Sequence, residues 1–326
     1  MSAFHFGTLT PELILDALAS CDFYLESGLT ALNSYENRVY QFVAEDKRRY
    51  VVKFYRPERW SKAQIDEEHG LAAYLAEQEV SVATPLVCRG QTLHQHQGFL
   101  FAIWPSVGGR HIEPDNLDQL EAVGHQLGRW HSLSPGYPLQ HRAAMTFSRC
   151  VAEPCQQLRQ MALWPAVMTS DFAQLLQQLV EALRPAFSLP FAAIPLHGDC
   201  HIGNVLWRDG PLFVDLDDSV TGPAIQDLWM LLSGEQAEQR LQLDTLLAGY
   251  EEFCEFDARQ LQLIEPLRTA RMISHLAWVG KRWADPAFPI AFPWFATEAF
   301  WLEQYQTLQQ QLVRLKQPPL ALTPGY

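Results

Sequence analysis

Between Leu196 and Asp218 the chain reads LHGDCHIGNVLWRDGPLFVDLDD, and this stretch restricts the possible folds more than any other. Val205-Leu206-Trp207, the turn Arg208-Asp209-Gly210-Pro211 and the run from Pro211 to Asp215 predict a β-hairpin, since short apolar runs flank a Gly-Pro turn. A hairpin folds the chain back on itself. Asn204 and Asp215 then fall at the open ends of the paired strands, with Asp199 on the loop just before them. One amide and one carboxylate suit a magnesium ion held on phosphates, and a free carboxylate can orient a hydroxyl, which together is what phosphoryl transfer needs. Asp217 and Asp218 either extend that metal site or are solvated after the strand.

A chain of 326 residues is long for one domain and comfortable for two, and with 48% hydrophobic and 12% aromatic residues it can bury a sizeable core. The net charge of -13 argues against a nucleic-acid backbone or an anionic membrane as partner, because both reward clustered Lys and Arg. Six cysteines are scattered without a CxxC pair or metal-ligand spacing, the pattern of a reduced cytoplasm. The N-terminus MSAFHFGTLTPELI has no basic segment followed by an apolar run, so no signal peptide is expected, and no window approaches the ~18 apolar residues of a membrane span. A cytoplasmic monomer is the expectation.

Along the chain, Thr10-Pro11-Glu12 signals a helix start, with a capping hydroxyl and proline at the first helical position. Gly28 to Leu32, Arg38 to Val43 and Arg49 to Tyr55 read as strands, with Asn33 to Asn37 placed where a nucleotide-binding loop would cover phosphates. Lys53 lies in the apolar strand Val51-Val52-Lys53-Phe54-Tyr55, where a buried lysine needs an anion. Ser61-Lys62-Ala63-Gln64 is a capping box opening a helix to about Glu79. On it Ile65, Glu68, Ala72 and Leu75 share one stripe, which makes Glu68 the expected partner of Lys53 and leaves Glu67 solvated. Thr92 to His94 and Phe99 to Trp104 predict a second hairpin. Beyond Asp115 the pattern turns helical, through 172–183, 225–232, 241–253, 261–283 and 297–315, with 284–294 a Pro- and aromatic-rich loop. The expected class is α+β, with a small strand-rich lobe over 1–105 and a large helical lobe over 106–326, the latter holding a catalytic loop at 196–204 and a metal-binding segment at 212–218.

These parts resemble the protein-kinase-like fold, in particular its aminoglycoside and choline phosphotransferase branch. Lys53 on a strand, Glu68 on the next helix, His197-Gly198-Asp199 with Asn204 five positions after Asp199, and Asp215 after an apolar strand carry the resemblance. Leu32 to Tyr40, Val52 to Trp60 and Val214 to Asp218 are similar to the bacterial stress response kinase A family. The resemblance implies Asp199 as the catalytic carboxylate, Asn204 and Asp215 as magnesium ligands, Ser34 as a contact to ATP, Lys53 on the α/β-phosphates with Glu68 fixing its direction, and the backbone from Ile103 to Ser106, Trp104 included, against the adenine. It further implies a serine/threonine protein kinase acting in stress response.

Departures from typical protein kinases matter. The phosphate-covering loop has no GxGxxG, so Asn33, Ser34 and Tyr35 must supply donors. Gly198 replaces the arginine that answers a phosphorylated activation loop, and only about nine residues separate Asp215 from Ala224. Activity independent of loop phosphorylation follows. His197 is expected to pack beneath the loop, His131 to be a core histidine, and Asp227 to accept backbone N–H bonds from the catalytic loop, while His94 and His96 suggest no metal. The acidic stretch Glu235 to Asp257 is a solvated face, or attracts a cationic substrate or basic peptide. Alternatives to a protein kinase are a kinase of a small cationic alcohol (aminoglycoside-, choline- or homoserine-like), and a nucleotide-binding regulator without catalysis.

Overall fold

The computed structural model describes residues 6–161 and 163–323; residues 1–5, where part of the signal-peptide reading falls, lie outside the described residues. Helix α1 (Pro11–Ala19) starts as expected, with Thr10 Oγ1 accepting the Leu13 N–H at 3.3 Å. A five-stranded antiparallel sheet follows, built from β1 (Thr30–Ala31), β2 (Arg38–Val43), β3 (Arg49–Phe54), β4 (His94–His96) and β5 (Phe99–Pro105) in the order β1-β2-β3-β5-β4. Side chains alternate across it. Phe42, Tyr50, Val52, Phe54, Phe101 and Ile103 face Leu13, Ile14, Ala17 and Leu18 of α1. The opposite face presents Val39, Gln41, Val51, Lys53 and Trp104 to a cleft. The period-2 pattern of β3 therefore both anchors the sheet and aims Lys53. Helix α2 (Lys62–Glu77), between β3 and β4, opens with the expected capping box between Ser61 and Gln64.

After β5 the chain forms β6 (Arg110–His111), α3 (Leu117–Leu133), α4 (Glu153–Met161) and α5 (Thr169–Leu183). It continues through β7 (Ile194–Leu196), β8 (Val205–Trp207), β9 (Pro211–Phe213) and β10 (Val220–Gly222), then α6 (Ile225–Trp229), α7 (Gln236–Tyr250), α8 (Ile264–Lys281), α9 (Ala287–Ala291) and α10 (Glu298–Arg314). The hairpin read from the sequence is β8–β9, with Val205 opposite Phe213. Strands β7 and β10 pair with each other on either side of the 197–219 segment, and β6 pairs with β8. These two- and three-residue strands are too short to show a periodicity. Helix α4 follows a π-helical turn at Ser148–Ala152 and buries only Pro154, Cys155 and Leu158, so its sequence carries little apolar signal. The segment 284–294, expected as a loop, is partly helical: α9 is followed by a 3-10 turn, Pro293–Ala296.

Helices α3 and α7 touch backbone to backbone. A Cβ on Gly128 would lie 2.2 Å from the Tyr250 carbonyl oxygen, and one on Gly249 2.1 Å from that of Glu121. Helix α8 buries Ile273, Leu276, Ala277 and Gly280 in a second helical core with Phe172 and Trp301. Its other side, Arg271, Ser274, His275 and Trp278, recurs at three- and four-residue spacing and lines the cleft. Among the described residues no helix is long and apolar enough to cross a membrane.

Candidate active site

The face of β3, the middle of α2, the 198–218 segment and the polar side of α8 enclose one cleft of about 950 Å³. Every residue singled out from the sequence, Ser34, Lys53, Glu68, Trp104, Asp199, Asn204 and Asp215, lines it.

Lys53 is 8% exposed, and its Nζ donates to Asp215 Oδ1 at 2.6 Å and Asp217 Oδ1 at 2.7 Å. Burial alone would lower the lysine pKa, but Asp215 and Asp217 outweigh it and raise the value, so the ammonium is charged. Asp217 is buried too. Burial works to raise its pKa, and Lys53 and Arg59 outweigh it, holding the carboxyl below its ordinary range. Its Oδ2 also accepts from Asn37 Nδ2, which ties the loop after β1 to this centre. Asp217 is thus a partner of the lysine. Asp218 pairs with Arg59 at 2.6 Å.

The pairing of Lys53 with Glu68 needs correction. Glu68 Oε2 accepts from Arg142 Nη2 at 2.6 Å, while the two aspartates take the hydrogen bonds of Lys53. Arg142, buried on the loop after α3, also donates through Nε to Gln64 O at 2.8 Å and through Nη1 to the Asp217 carbonyl, and its guanidinium stands 4.4 Å from the Trp60 ring centroid. A planar fork answers several acceptors at once and so outcompetes a lysine for the glutamate. Burial and Asp217 push the Glu68 pKa upward against Lys53 and Arg142. Glu67 also differs from expectation. It is 8% exposed, and its carboxylate accepts backbone N–H groups of Gln140, His141 and Arg142, which fastens α2 to the loop after α3.

Asp215 has φ +61 and ψ 67, a left-handed conformation costing of order 1–3 kcal/mol in a non-glycine residue. The turn keeps its side chain half-exposed in the cleft, and Oδ1 on Lys53 leaves Oδ2 free. The Val214 N–H donates to Asn204 O at 3.0 Å, closing the hairpin end so that Asn204 sits beside the Asp215 segment. Asn204 Nδ2 donates to Asp199 O at 3.0 Å, which turns its amide oxygen away as a free acceptor. Two unengaged oxygens of this kind, completed by phosphates and water, fit magnesium. Among the described residues no cluster of three or more His, Cys, Asp or Glu could hold a metal unaided.

Asp199 lies across the cleft floor. Its Oδ1 is 2.5 Å from Arg271 Nη1, an ion pair without the angle of a good hydrogen bond, and its Oδ2 is 3.4 Å from His201 Nε2. The Gly203 N–H donates to His201 Nδ1 at 2.9 Å, which assigns the ring proton to Nε2, facing the carboxylate. Burial acts to raise the Asp199 pKa, but the His201 bond and the Arg271 charge hold it down at about 2. The loop beneath is pinned as expected. Asp227 accepts the N–H groups of His197 and Gly198 at 2.8 and 2.9 Å, His197 is buried with Nε2 bonded to Val214 O, and His131 joins Asp227 to Tyr250. Gly198 has φ +82, and a Cβ there would meet the Asp218 carbonyl oxygen at 2.2 Å, so no arginine can stand in its place.

The loop over the cleft is closed by charge. The Glu36 carboxylate is ion-paired with Arg56 Nε at 3.1 Å, Arg59 Nη1 at 2.9 Å and Arg282 Nε at 2.7 Å, and accepts hydrogen bonds from Arg282 Nη2 at 2.9 Å and the Trp278 indole at 2.5 Å. Arg56 also reaches Asp285 at 2.8 Å, and Tyr35 packs on Phe292 at 4.9 Å. Ser34 Oγ donates to Asn37 O at 3.2 Å. Sequence reasoning missed Glu36, Arg56, Arg142, His201 and the α8 stripe. For Glu36 and Arg56 a signal existed: Arg38 pairs with Phe54 in register, so the acidic and basic ends of two flanking motifs meet.

The phosphotransferase enzyme family model matches residues 28–264. Over 325 residues the chain is 53% identical to stress response kinase A of Escherichia coli K12, covering 100% of this chain and 99% of that protein. It is 54% identical over the same length to a Salmonella typhimurium protein named serine/threonine protein kinase RdoA, again with 100% and 99% covered. The chain belongs to the phosphotransferase enzyme family and, within it, to the stress response kinase A group. An amicoumacin kinase solved with AMP-PNP and Ca2+ has a TM-score of 0.74 at 20% identity, covering 96% of this chain and 95% of its own. A microcompartment-associated aminopropanol kinase gives 0.70 at 20%, covering 96% and 99%. The expected α+β, protein-kinase-like fold and the phosphotransferase class are borne out.

Proposed function

We propose that this chain transfers the γ-phosphoryl group of ATP to serine or threonine hydroxyls of proteins, with magnesium. The observation that carries the reading is the convergence of Lys53, Asp215, Asn204 and Asp199 on one cleft, in a chain about half identical to named kinases. Lys53 holds the α/β-phosphates, released toward them from a carboxylate pair that keeps it charged and oriented. Asn204 and Asp215 would hold magnesium, which when bound offsets the negative charge of the phosphates. Asp199 orients the acceptor hydroxyl and receives its proton. The acceptor oxygen bonds to the γ-phosphorus, the bond from that phosphorus to the β–γ bridging oxygen breaks, and ADP leaves.

The kinase of a small alcohol is kept as a second reading on one observation. Between Asp215 and α6 the chain forms only the 3-10 turn Leu216–Asp218 and β10, little for a peptide to lie on. Radiolabel from ATP supplied to lysate of a strain lacking this protein separates the two. Label entering protein bands with the wild type but not with Asp199→Ala is expected; label confined to a small molecule overturns the protein-kinase reading.

A further inference from the structure

Every carboxylate lining the cleft is paired with a cation, which leaves none given over to a cationic substrate. Each acidic residue lining the cleft away from Asp199 is already engaged: Asp215 and Asp217 by Lys53, Asp218 by Arg59, Glu36 by arginines and Glu68 by Arg142. The acidic stretch from Glu235 to Asp257, a sequence candidate for drawing in cations, contributes nothing to the cleft lining.

The unspent capacity is cationic. Arg271 projects from α8 with its side chain 44% exposed, and Asp199 is the one partner it has among the described residues. Most of its five N–H donors therefore have no acceptor among the described residues. Beside it on the same helical stripe His275 stacks on Trp278, with centroids 5.6 Å apart and planes at 25°. Burial and the Arg271 charge push the His275 pKa down against Asp199, so this neighbour stays neutral and adds no second cation beside the arginine. Ser274 is turned aside, donating to Cys150 O at 3.2 Å.

We infer that Arg271 is a specificity-determining residue that reads negative charge beside the acceptor hydroxyl, so that the preferred substrates are acidic Ser/Thr peptides. An arriving hydroxyl takes the place of Arg271 at Asp199 Oδ1, and the freed guanidinium turns to a carboxylate on a residue flanking the acceptor, in a charge-assisted and potentially bidentate contact. Because Arg271 already touches Asp199, the anion it reads lies within one or two residues of the hydroxyl.

The inference rests on the proposed peptide-kinase reading, and one assay separates the two. Peptides with a single serine flanked by Asp/Glu, by Ala or by Lys are compared for kcat/KM with magnesium ATP, using the wild type, Arg271→Glu and Arg271→Lys. Hydroxy acids and amino alcohols serve as small acceptors in parallel. Loss of Arg271 disturbs Asp199 for every acceptor alike, and taking the ratio of acidic to basic peptides removes that common effect. The expected wild-type ratio is at least about tenfold, the scale of one charge-assisted hydrogen bond, reversed in Arg271→Glu and kept in Arg271→Lys. A wild-type preference for lysine-flanked serine, or a ratio that Arg271→Glu leaves unchanged, overturns the inference while the peptide-kinase reading stands. Labelling of hydroxy acids alone, with the ratio to amino alcohols reversed in Arg271→Glu, overturns the peptide reading and keeps the role of Arg271. Labelling of amino alcohols alone overturns both.

Discussion

The two sides of the cleft are built on different principles. On the side of Lys53, charges are matched and, Asp215 apart, buried: lysine to Asp215 and Asp217, Glu68 to Arg142, Glu36 to arginines from both ends of the chain. On the side of Asp199, an exposed arginine and an exposed His275, stacked on the half-buried Trp278, stand beside a single carboxylate. Matched buried charges fix geometry, because breaking any one pair strands its partner in a medium of low dielectric. Open groups cost little to change, which is where the proposed reading puts the choice of acceptor.

The comparison breaks first at Lys53. Lys53→Met leaves Asp217 buried without its cation, which should cost about 3–5 kcal/mol in a denaturant titration together with most of the affinity for magnesium ATP. Unchanged stability would mean that the pairs do not hold this side together. Glu68→Gln sharpens the corrected pairing. It should lose about 1.5–3 kcal/mol through Arg142 yet keep ATP affinity within about threefold, and a large loss of affinity would restore Glu68 to Lys53.

A pH series tests His69, which sits under the same side and bonds Tyr55 at 2.9 Å and Thr92 at 2.8 Å. Burial, then Lys53, push its pKa from 6.5 down to about 3. Between those values the unfolded chain binds the extra proton, so stability falls as pH falls, by at most about 1.4 kcal/mol per unit from this group. Urea midpoints of His69→Gln should lack that part of the slope; an identical slope would show that His69 titrates normally. Ser34→Ala is the smallest change. Among the described residues its hydroxyl bonds only Asn37 O, and a two- to tenfold rise in KM for ATP is expected, whereas no rise would remove Ser34 from the nucleotide contacts.

The same division decided what could be read from the sequence. Asp199, Asn204 and Asp215 lie in one contiguous stretch whose hairpin context is local, so spacing brought them together, whereas Lys53, on a distant strand, joined them only through the family resemblance. Glu68 was aimed correctly at the cleft by helical periodicity but assigned the wrong cation, since Arg142 comes from a loop with no pattern of its own. Arg271, His275 and Trp278 share a face that looks like any solvated helix side until the tertiary fold sets it opposite Asp199. Likewise Glu67 read as solvated because only the packing of α2 on the 140–142 backbone supplies its donors.

The most direct measurement pairs binding with transfer in Asp199→Asn, a change that preserves shape and removes the acceptor charge. Calorimetric titration with magnesium ATP should match the wild type, while single-turnover transfer should fall by ~10²–10⁴. Transfer at the wild-type rate would contradict Asp199 as the group that handles the acceptor hydroxyl.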